Sequence, residues 1–172
     1  LDIDKIHFVV EEACEGLSGV SSSQIEINAN IQFYDGMTTK EVQQILVRSA
    51  NDLISLETPN YQYAAARLLS YDVRKEAHGQ YEYMPLLKLI IRNIKAGVYD
   101  KGIVEKFSKT DIKKMNTWIK RERDLDFTYA GLRQVVDKYL VQDRSSGDSF
   151  ETPQDMYMMI AATLFAEYPA KT

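Results

Sequence analysis

The chain has 172 residues, of which 45% are apolar and 27% charged, a composition typical of a globular protein with one ordinary core or two small ones. Its single cysteine, Cys14, excludes an internal disulfide and any metal site built from several cysteines. No apolar run approaches the ~18 residues that a transmembrane helix needs, and no signal-peptide pattern opens the chain, so we expect a cytoplasmic protein.

The formal net charge of −4 is unevenly distributed along the chain. Residues 1–79 hold 12 acidic and 6 basic side chains, whereas residues 80–172 hold 13 acidic and 15 basic ones. A change of this kind indicates two modules of different character. We place the boundary after residue 80, which gives predicted domains 1–80 and 81–172.

Helical signals dominate the first module. Ser21 with Gln24, and Thr38 with Glu41, have the spacing of a capping box, and each pair predicts the start of a helix. Pro59 is typical of a first helical turn. Helices are predicted over residues 3–16 and 21–33, from residue 38, and over residues 59–79.

The helix that follows Pro59 has a tight apolar stripe on one side. Ala64, Ala65 and Leu68 repeat at helical spacing, and such a stripe usually faces a protein core. We therefore predict that Ala65 and Leu68 are buried.

The second module is also predicted to be mainly helical. The turn Ser145–Asp148 lies between residues 140–143 and 149–151, and this arrangement predicts one small β-hairpin. The expected fold class is mainly α, with a four-helix bundle followed by a helical domain that contains the hairpin. Its helices are predicted over residues 85–97, 101–107, 110–120 and 126–139, and from residue 152.

Five segments carry a family resemblance together that none of them carries alone. They are IQFYDGMTT (31–39), TPNYQYAAARLL (58–69), RDLDFTYAG (123–131), YLVQDR (139–144) and ETPQDMY (151–157). In this order they resemble the amino-terminal part of the large (alpha, catalytic) subunit of a class I ribonucleotide reductase, from residue 1 to about residue 168. That subunit is several times longer, so the resemblance implies a fragment.

The first module resembles the ATP-cone of this family, an allosteric domain that binds ATP or dATP and switches the enzyme on or off. The resemblance implies that lysines and a helix-start threonine contact the phosphates, that an isoleucine packs against the base, and that a glutamine and a tyrosine contact base and sugar. In the family, a β-hairpin precedes the four helices and covers the phosphates, and it is missing here. The implied ATP or dATP effector site comprises Asp2, Lys5, Ile6, Thr39, Gln43, Tyr71 and Lys75.

The same positions have a simpler interpretation when the residues are considered without the family. Lys5, Arg74 and Lys75 are typical of solvated helix surfaces, and Thr39 is typical of a first helical turn. His7 and His78 have no neighbouring carboxylates at metal-ligand spacing, so we assign them no chemistry. We expect Cys14 to be a buried apolar residue.

The second module resembles the helical domain that precedes the ten-stranded barrel of the large subunit. In the family, the barrel carries a thiyl-forming cysteine and a redox cysteine pair, and Cys14 lies in the wrong module to replace them. We therefore expect no catalytic residue, no metal ligand and no catalytic cofactor in this chain, which alone should be inactive.

The resemblance implies that the parent is an oxidoreductase that makes deoxyribonucleotides for DNA replication. Its implied partners are a small radical-generating subunit, other large subunits, and thioredoxin or glutaredoxin. The exposed face around Ser22, Ser23, Glu26 and Ile27 is a candidate subunit contact.

Two alternatives come from other functional classes. The first is a repurposed helical interaction module that binds a protein and ignores nucleotides. The second is a nucleic-acid binder that uses six bases within fifteen residues. The acidic chain and the inward spacing predicted for Met115 and Trp118 favour a solvated helix face for those bases, which are Lys109, Lys113, Lys114, Lys120, Arg121 and Arg123.

Overall fold

The computed structural model describes residues 2–168, and they are mainly helical, which confirms the predicted fold class. None of the helices in this part of the chain is both long and apolar enough to cross a membrane. A 3-10 helix, Arg121–Leu125, precedes α8. The α-helices are α1 (Ile3–Cys14), α2 (Ser22–Asn30), α3 (Thr39–Asn51), α4 (Tyr61–His78), α5 (Leu86–Lys95), α6 (Gly102–Lys106), α7 (Lys109–Trp118), α8 (Tyr129–Lys138) and α9 (Pro153–Phe165).

The described chain divides into two compact units. The first unit contains residues 2–72 and 122–138, and the second contains residues 73–121 and 139–168. These units are not the two sequence modules, because residues 122–138 lie in the first unit. The functional domain boundary after residue 80 stays a prediction.

Local capping stabilises the start of α3, whereas a long-range contact stabilises the start of α2. Thr38 and Glu41 form the predicted capping box, in which the Glu41 N–H donates to Thr38 Oγ1 at 3.2 Å and the Thr38 N–H donates to Glu41 Oε2 at 2.8 Å. The capping box predicted at Ser21 is wrong, since its side chain makes no cap hydrogen bond. The Ser21 N–H donates instead to the hydroxyl of Tyr61 at 3.0 Å.

The predicted buried stripe of α4 is confirmed in the first unit. Ala64, Ala65 and Leu68 each have 0% of their surface exposed. Methyl and isobutyl groups on this face exclude water, and their burial stabilises the unit. Gly79 follows the helix with φ of 70°, a left-handed conformation that ends it as the sequence predicts.

The second unit has its own apolar core, formed by buried residues of α5, α6, α7 and α9. The prediction that Trp118 points inward is wrong, because its side chain is 56% exposed and lies under the ammonium of Lys114. Helical periodicity stops there, since α7 ends at Trp118 and Ile119 is extended. The core residues are Leu86, Leu89, Ile90, Ile103, Ile112, Met115 and Ala162.

The predicted hairpin is reduced to a single antiparallel bridge between Gln142 and Ser149. The Phe150 N–H donates to the Val141 carbonyl at 2.8 Å, and Gly147 turns the chain with φ of 77°. The turn therefore forms where the sequence places it, without a ladder of paired strands.

Candidate functional site

The amino terminus of α1 brings two of the predicted effector residues together. Asp2 caps the helix, with its Oδ1 accepting from the Lys5 N–H at 3.2 Å, and its Oδ2 lies 3.0 Å from Lys5 Nζ. These hydrogen bonds, from the Lys5 side chain first and its backbone second, lower the pKa of Asp2. Ile6 follows, half-buried. Lys5 is therefore a solvent-exposed cation held beside a carboxylate.

The start of α3 presents Thr39 to solvent, but it also carries a negative charge. Glu41 accepts from the Thr38 N–H and from the hydroxyl of Tyr34, the latter at 2.9 Å, and hydrogen bonding to Thr38 lowers the pKa of Glu41. The positive end of the helix dipole stabilises this carboxylate, and the negative charge of the carboxylate repels a second anion at the same place.

Gln43 has a structural partner that sequence reasoning missed. Its side-chain amide donates to the Leu68 carbonyl at 2.8 Å and so joins α3 to α4. Tyr71, three residues further along α4, is buried, and Lys75, one turn beyond Tyr71, is exposed. Polar contacts of the helices thus join Asp2 to Lys5 and Gln43 to the backbone of α4. An open depression of the first unit has Phe8, Glu11 and Val20 in its lining, which includes none of the seven predicted residues.

His7 lies between two carboxylates on the surface of the first unit. Its Nδ1 is 2.8 Å from Glu26 on α2, and its Nε2 is 3.2 Å from Glu11, one turn along α1. The hydrogen bond to Glu26, followed by the charges of both glutamates, raises the pKa of His7. This cluster joins α1 to α2, which the sequence did not indicate.

Cys14 is half-buried at the end of α1, less enclosed than predicted. Burial raises the pKa of its thiol to about 11, although the charge of Arg67 opposes this effect. The thiol is therefore protonated near neutral pH, and a protonated thiol is a poor nucleophile.

The second unit contains a buried polar cluster centred on Asp155. His78 Nδ1 accepts from the Met84 N–H at 3.2 Å, so the ring proton of a neutral imidazole resides on Nε2, which lies 3.3 Å from Asp155 Oδ2. Asp155 Oδ1 lies 2.6 Å from Arg121 Nη1, and Oδ2 accepts from the Thr152 hydroxyl at 2.8 Å. Burial raises the pKa of Asp155, but His78 and Arg121 outweigh it, so the net shift is downward.

Two arginines of this unit stack on the same aromatic ring. The guanidinium carbons of Arg74 and Arg121 lie 4.9 and 4.6 Å from the centroid of the Tyr83 ring, and Arg74 is also 4.0 Å from that of Tyr81. Arg74 is buried, so the solvated interpretation of this residue is wrong. Arg121 is likewise turned inward, while the other five bases of the 109–123 cluster are exposed.

A third buried group surrounds Glu151. Its Oε1 accepts from the Val141 N–H at 3.0 Å, and its Oε2 accepts from the Tyr99 hydroxyl. Burial is the main cause that raises the pKa values of both Glu151 and Tyr99. Within residues 2–168, no group of three or more histidine, cysteine or acidic side chains has a metal-binding arrangement.

Two family models match the chain. The ATP cone domain matches residues 1–76, and the all-alpha domain of ribonucleotide reductase matches residues 125–171. The ribonucleoside-diphosphate reductase 1 subunit alpha of Escherichia coli is 42% identical over 172 residues, which are 100% of this chain and 23% of that subunit. The chain belongs to the ribonucleotide reductase alpha subunits.

Further alpha subunits agree with this membership. The chain is 37% identical over 172 residues to ribonucleoside-diphosphate reductase subunit alpha of Haemophilus influenzae. The match covers 100% of this chain and 23% of that subunit. It is 39% identical over 164 residues to the subunit alpha of Helicobacter pylori, and this match covers 95% of this chain and 20% of that subunit. The chain thus spans about a quarter of the length of the curated relatives that it matches, and it corresponds to their amino-terminal region with the ATP cone.

Proposed function

We propose that the chain is the allosteric region of a ribonucleoside-diphosphate reductase, which reduces ribonucleotides, usually as diphosphates, to deoxyribonucleotides for DNA synthesis. The match of residues 1–76 to the ATP cone domain carries this proposal, because such a domain implies a nucleotide effector. The relatives match nearly the whole chain, and this agreement favours a reductase over a repurposed interaction module.

The proposed effector is ATP or dATP. Lys5 supports this assignment because its cation is mobile and exposed at the start of α1. Its partner, Asp2, is itself exposed, and a solvated ion pair contributes little to stability, so a triphosphate competes for the lysine. Lys75 supplies a second exposed cation on α4.

The remaining proposed contacts have different surroundings. Ile6 is half-buried and exposed enough to pack against a base, and Thr39 is accessible at the start of α3. Gln43 reaches α4, so we propose that it orients the helix of Tyr71 and contacts the base with its remaining amide atoms. Tyr71, which is buried, contacts the sugar only at the edge of its ring.

Replacement of Lys75 by alanine tests this site. The longer alpha subunit should bind dATP, and Lys75→Ala should weaken binding by about 1.5–3 kcal/mol, the range for a hydrogen bond to a charged group. Isothermal titration calorimetry measures the change. Lys138→Ala removes an exposed lysine that is not part of the proposed site and serves as the control.

The 172-residue chain should bind dATP far more weakly than the longer subunit. In the family, a β-hairpin that precedes the four helices supplies further cations and covers the phosphates, whereas phosphates on these helices alone stay hydrated and screened by salt. Equal affinities for the two proteins would show that this placement of the site is wrong. Absence of binding to either would favour the interaction module.

The chain alone should reduce no ribonucleotide, even with a dithiol and a small subunit supplied. Radical reduction in this family uses several cysteines, and the chain has only Cys14, whose thiol is protonated near neutral pH. Chromatography of a radiolabelled ribonucleoside diphosphate after incubation measures the product. Any labelled deoxyribonucleotide above the no-enzyme level would contradict the expectation.

The proposed partners are a small radical-generating subunit, other alpha subunits, and thioredoxin or glutaredoxin, and the proposed location is the cytoplasm. Of the face predicted to contact another subunit, Ile27 is 60% exposed, which supports its participation in a contact. Binding of purified small subunit to the longer protein, with and without Ile27→Asp, tests whether the face that contains Ile27 contacts this subunit.

A further inference from the structure

Arg67 connects two segments of the first unit that are far apart in sequence. It lies on α4 among buried alanines and leucines and is itself half-buried. Nη1 donates to the carbonyls of Ala13 at 3.2 Å and Glu15 at 2.7 Å. Nε donates to the carbonyl of Leu125 at 3.4 Å. One planar group therefore holds the end of α1 and the end of the 3-10 helix.

The bonds to α1 satisfy a specific need of that helix. The last carbonyls of an α-helix have no partner within the helix and carry its negative dipole end. The last turn of α1 contains no basic residue, so Arg67 supplies from α4 the cation that this turn lacks. Release of Arg67 would leave those carbonyls to water.

The bond to Leu125 reaches a different family domain. Leu125 is the first residue matched by the all-alpha domain of ribonucleotide reductase, whereas Ala13, Glu15 and Arg67 lie within the ATP cone match. All four residues belong to the same compact unit. The guanidinium thus forms a direct polar link between cone residues and the beginning of the all-alpha sequence.

We propose that Arg67 is a positioning residue. It transmits a displacement of α1, caused by nucleotide binding at the start of that helix, to the segment 121–126. This inference rests on the proposed effector site, because Asp2, Lys5 and Ile6 lie at the opposite end of α1. A helix of 12 residues moves nearly as a rigid rod, so a shift at its start displaces the carbonyls that Arg67 holds. Arginine suits this role because its donors have fixed directions, whereas lysine is a point charge on a flexible stem.

Amide hydrogen exchange of the nucleotide-free chain tests the link itself. Arg67→Met should raise exchange about tenfold at the amides of Glu15 and Leu17 and at that of Asp126, since the end of α1 loses two hydrogen bonds and the end of the 3-10 helix loses one. Arg67→Lys should protect the end of α1 again, because a cation still faces its carbonyls, but it should leave Asp126 exchanging fast. Arg48→Met, an exposed change on α3, is the control. Unchanged exchange at either segment in Arg67→Met would overturn the link.

The transmission is tested on the longer alpha subunit with dATP. In the unmodified protein, dATP should change exchange at residues 121–126. In Arg67→Met and Arg67→Lys, dATP should bind within about threefold of the unmodified affinity by calorimetry, yet residues 121–126 should no longer respond. A response that persists in both variants would refute transmission through Arg67, as would dATP binding without any response in the unmodified protein. If the unmodified subunit binds no dATP, the proposed effector site is wrong, and the proposed transmission is wrong with it. The exchange measured without nucleotide then still tests whether Arg67 joins α1 to the 3-10 helix.

Discussion

Aspartate at position 65 or 68 should unfold the first unit. Both native side chains are fully buried on α4, and an unpaired charge placed there costs several kcal/mol. Whole domains have a free energy of unfolding of only ~5–15 kcal/mol, so Ala65→Asp or Leu68→Asp consumes much of it. Loss of helical circular dichroism at room temperature, or a melting temperature lowered by more than about 10 °C, is the expected result.

Leu56→Asp is the matched control for this experiment. Leu56 is 98% exposed, so the same chemical change there should leave the melting temperature almost unchanged. Equal melting temperatures for Leu68→Asp and Leu56→Asp would show that the α4 stripe does not face a core.

Removal of the Asp155 carboxylate should be the second large effect. Asp155→Ala leaves His78 and Arg121 without the group that lies between them, and breaking a buried ion pair on one side costs about 3–5 kcal/mol. Chemical denaturation followed by circular dichroism measures the loss. Asp137→Ala, which breaks an exposed pair with Arg133, should cost well under 1 kcal/mol by comparison.

The same carboxylate predicts how stability depends on pH. Its pKa is lower in the folded chain than the ordinary value of 3.8, so the folded state binds this proton less readily than the unfolded state. The stabilisation is therefore complete at pH values above the unfolded pKa and is lost as the pH falls through the folded pKa. Asp155→Asn should flatten the dependence of stability on pH between pH 4 and the acid limit, whereas an unchanged acid profile would show that folding does not lower the pKa of this carboxyl group.

The helices were predictable because their signals are local. The α4 stripe repeats within one turn, and the Thr38–Glu41 capping box closes within four residues, so neither depends on the rest of the fold. Ser21 has the same spacing, but Tyr61, forty residues away, takes its N–H. No pattern near Ser21 contains that information.

The buried cluster was not predictable for a related reason. His78 and Asp155 are 77 residues apart, and Arg121 appears in the sequence as one of six neighbouring bases. A partial signal was present: Thr152 and Asp155 have capping spacing at the start of α9, which places Asp155 at a fixed position. The residues of the proposed effector site stay predictions, apart from the observed Asp2–Lys5 pair and the bond from Gln43 to α4.

The position of Trp118 decides which optical signal can follow folding. It is the one tryptophan of the chain, and more than half of its side chain already meets solvent at the end of α7. An indole that is hydrated before and after denaturation changes its emission little, so intrinsic fluorescence would under-report the loss of either unit. Tyr61 and Tyr71 are buried in the first unit, and Tyr99 is partly buried against the core of the second, so near-ultraviolet tyrosine absorbance is the more faithful measure of cooperative melting.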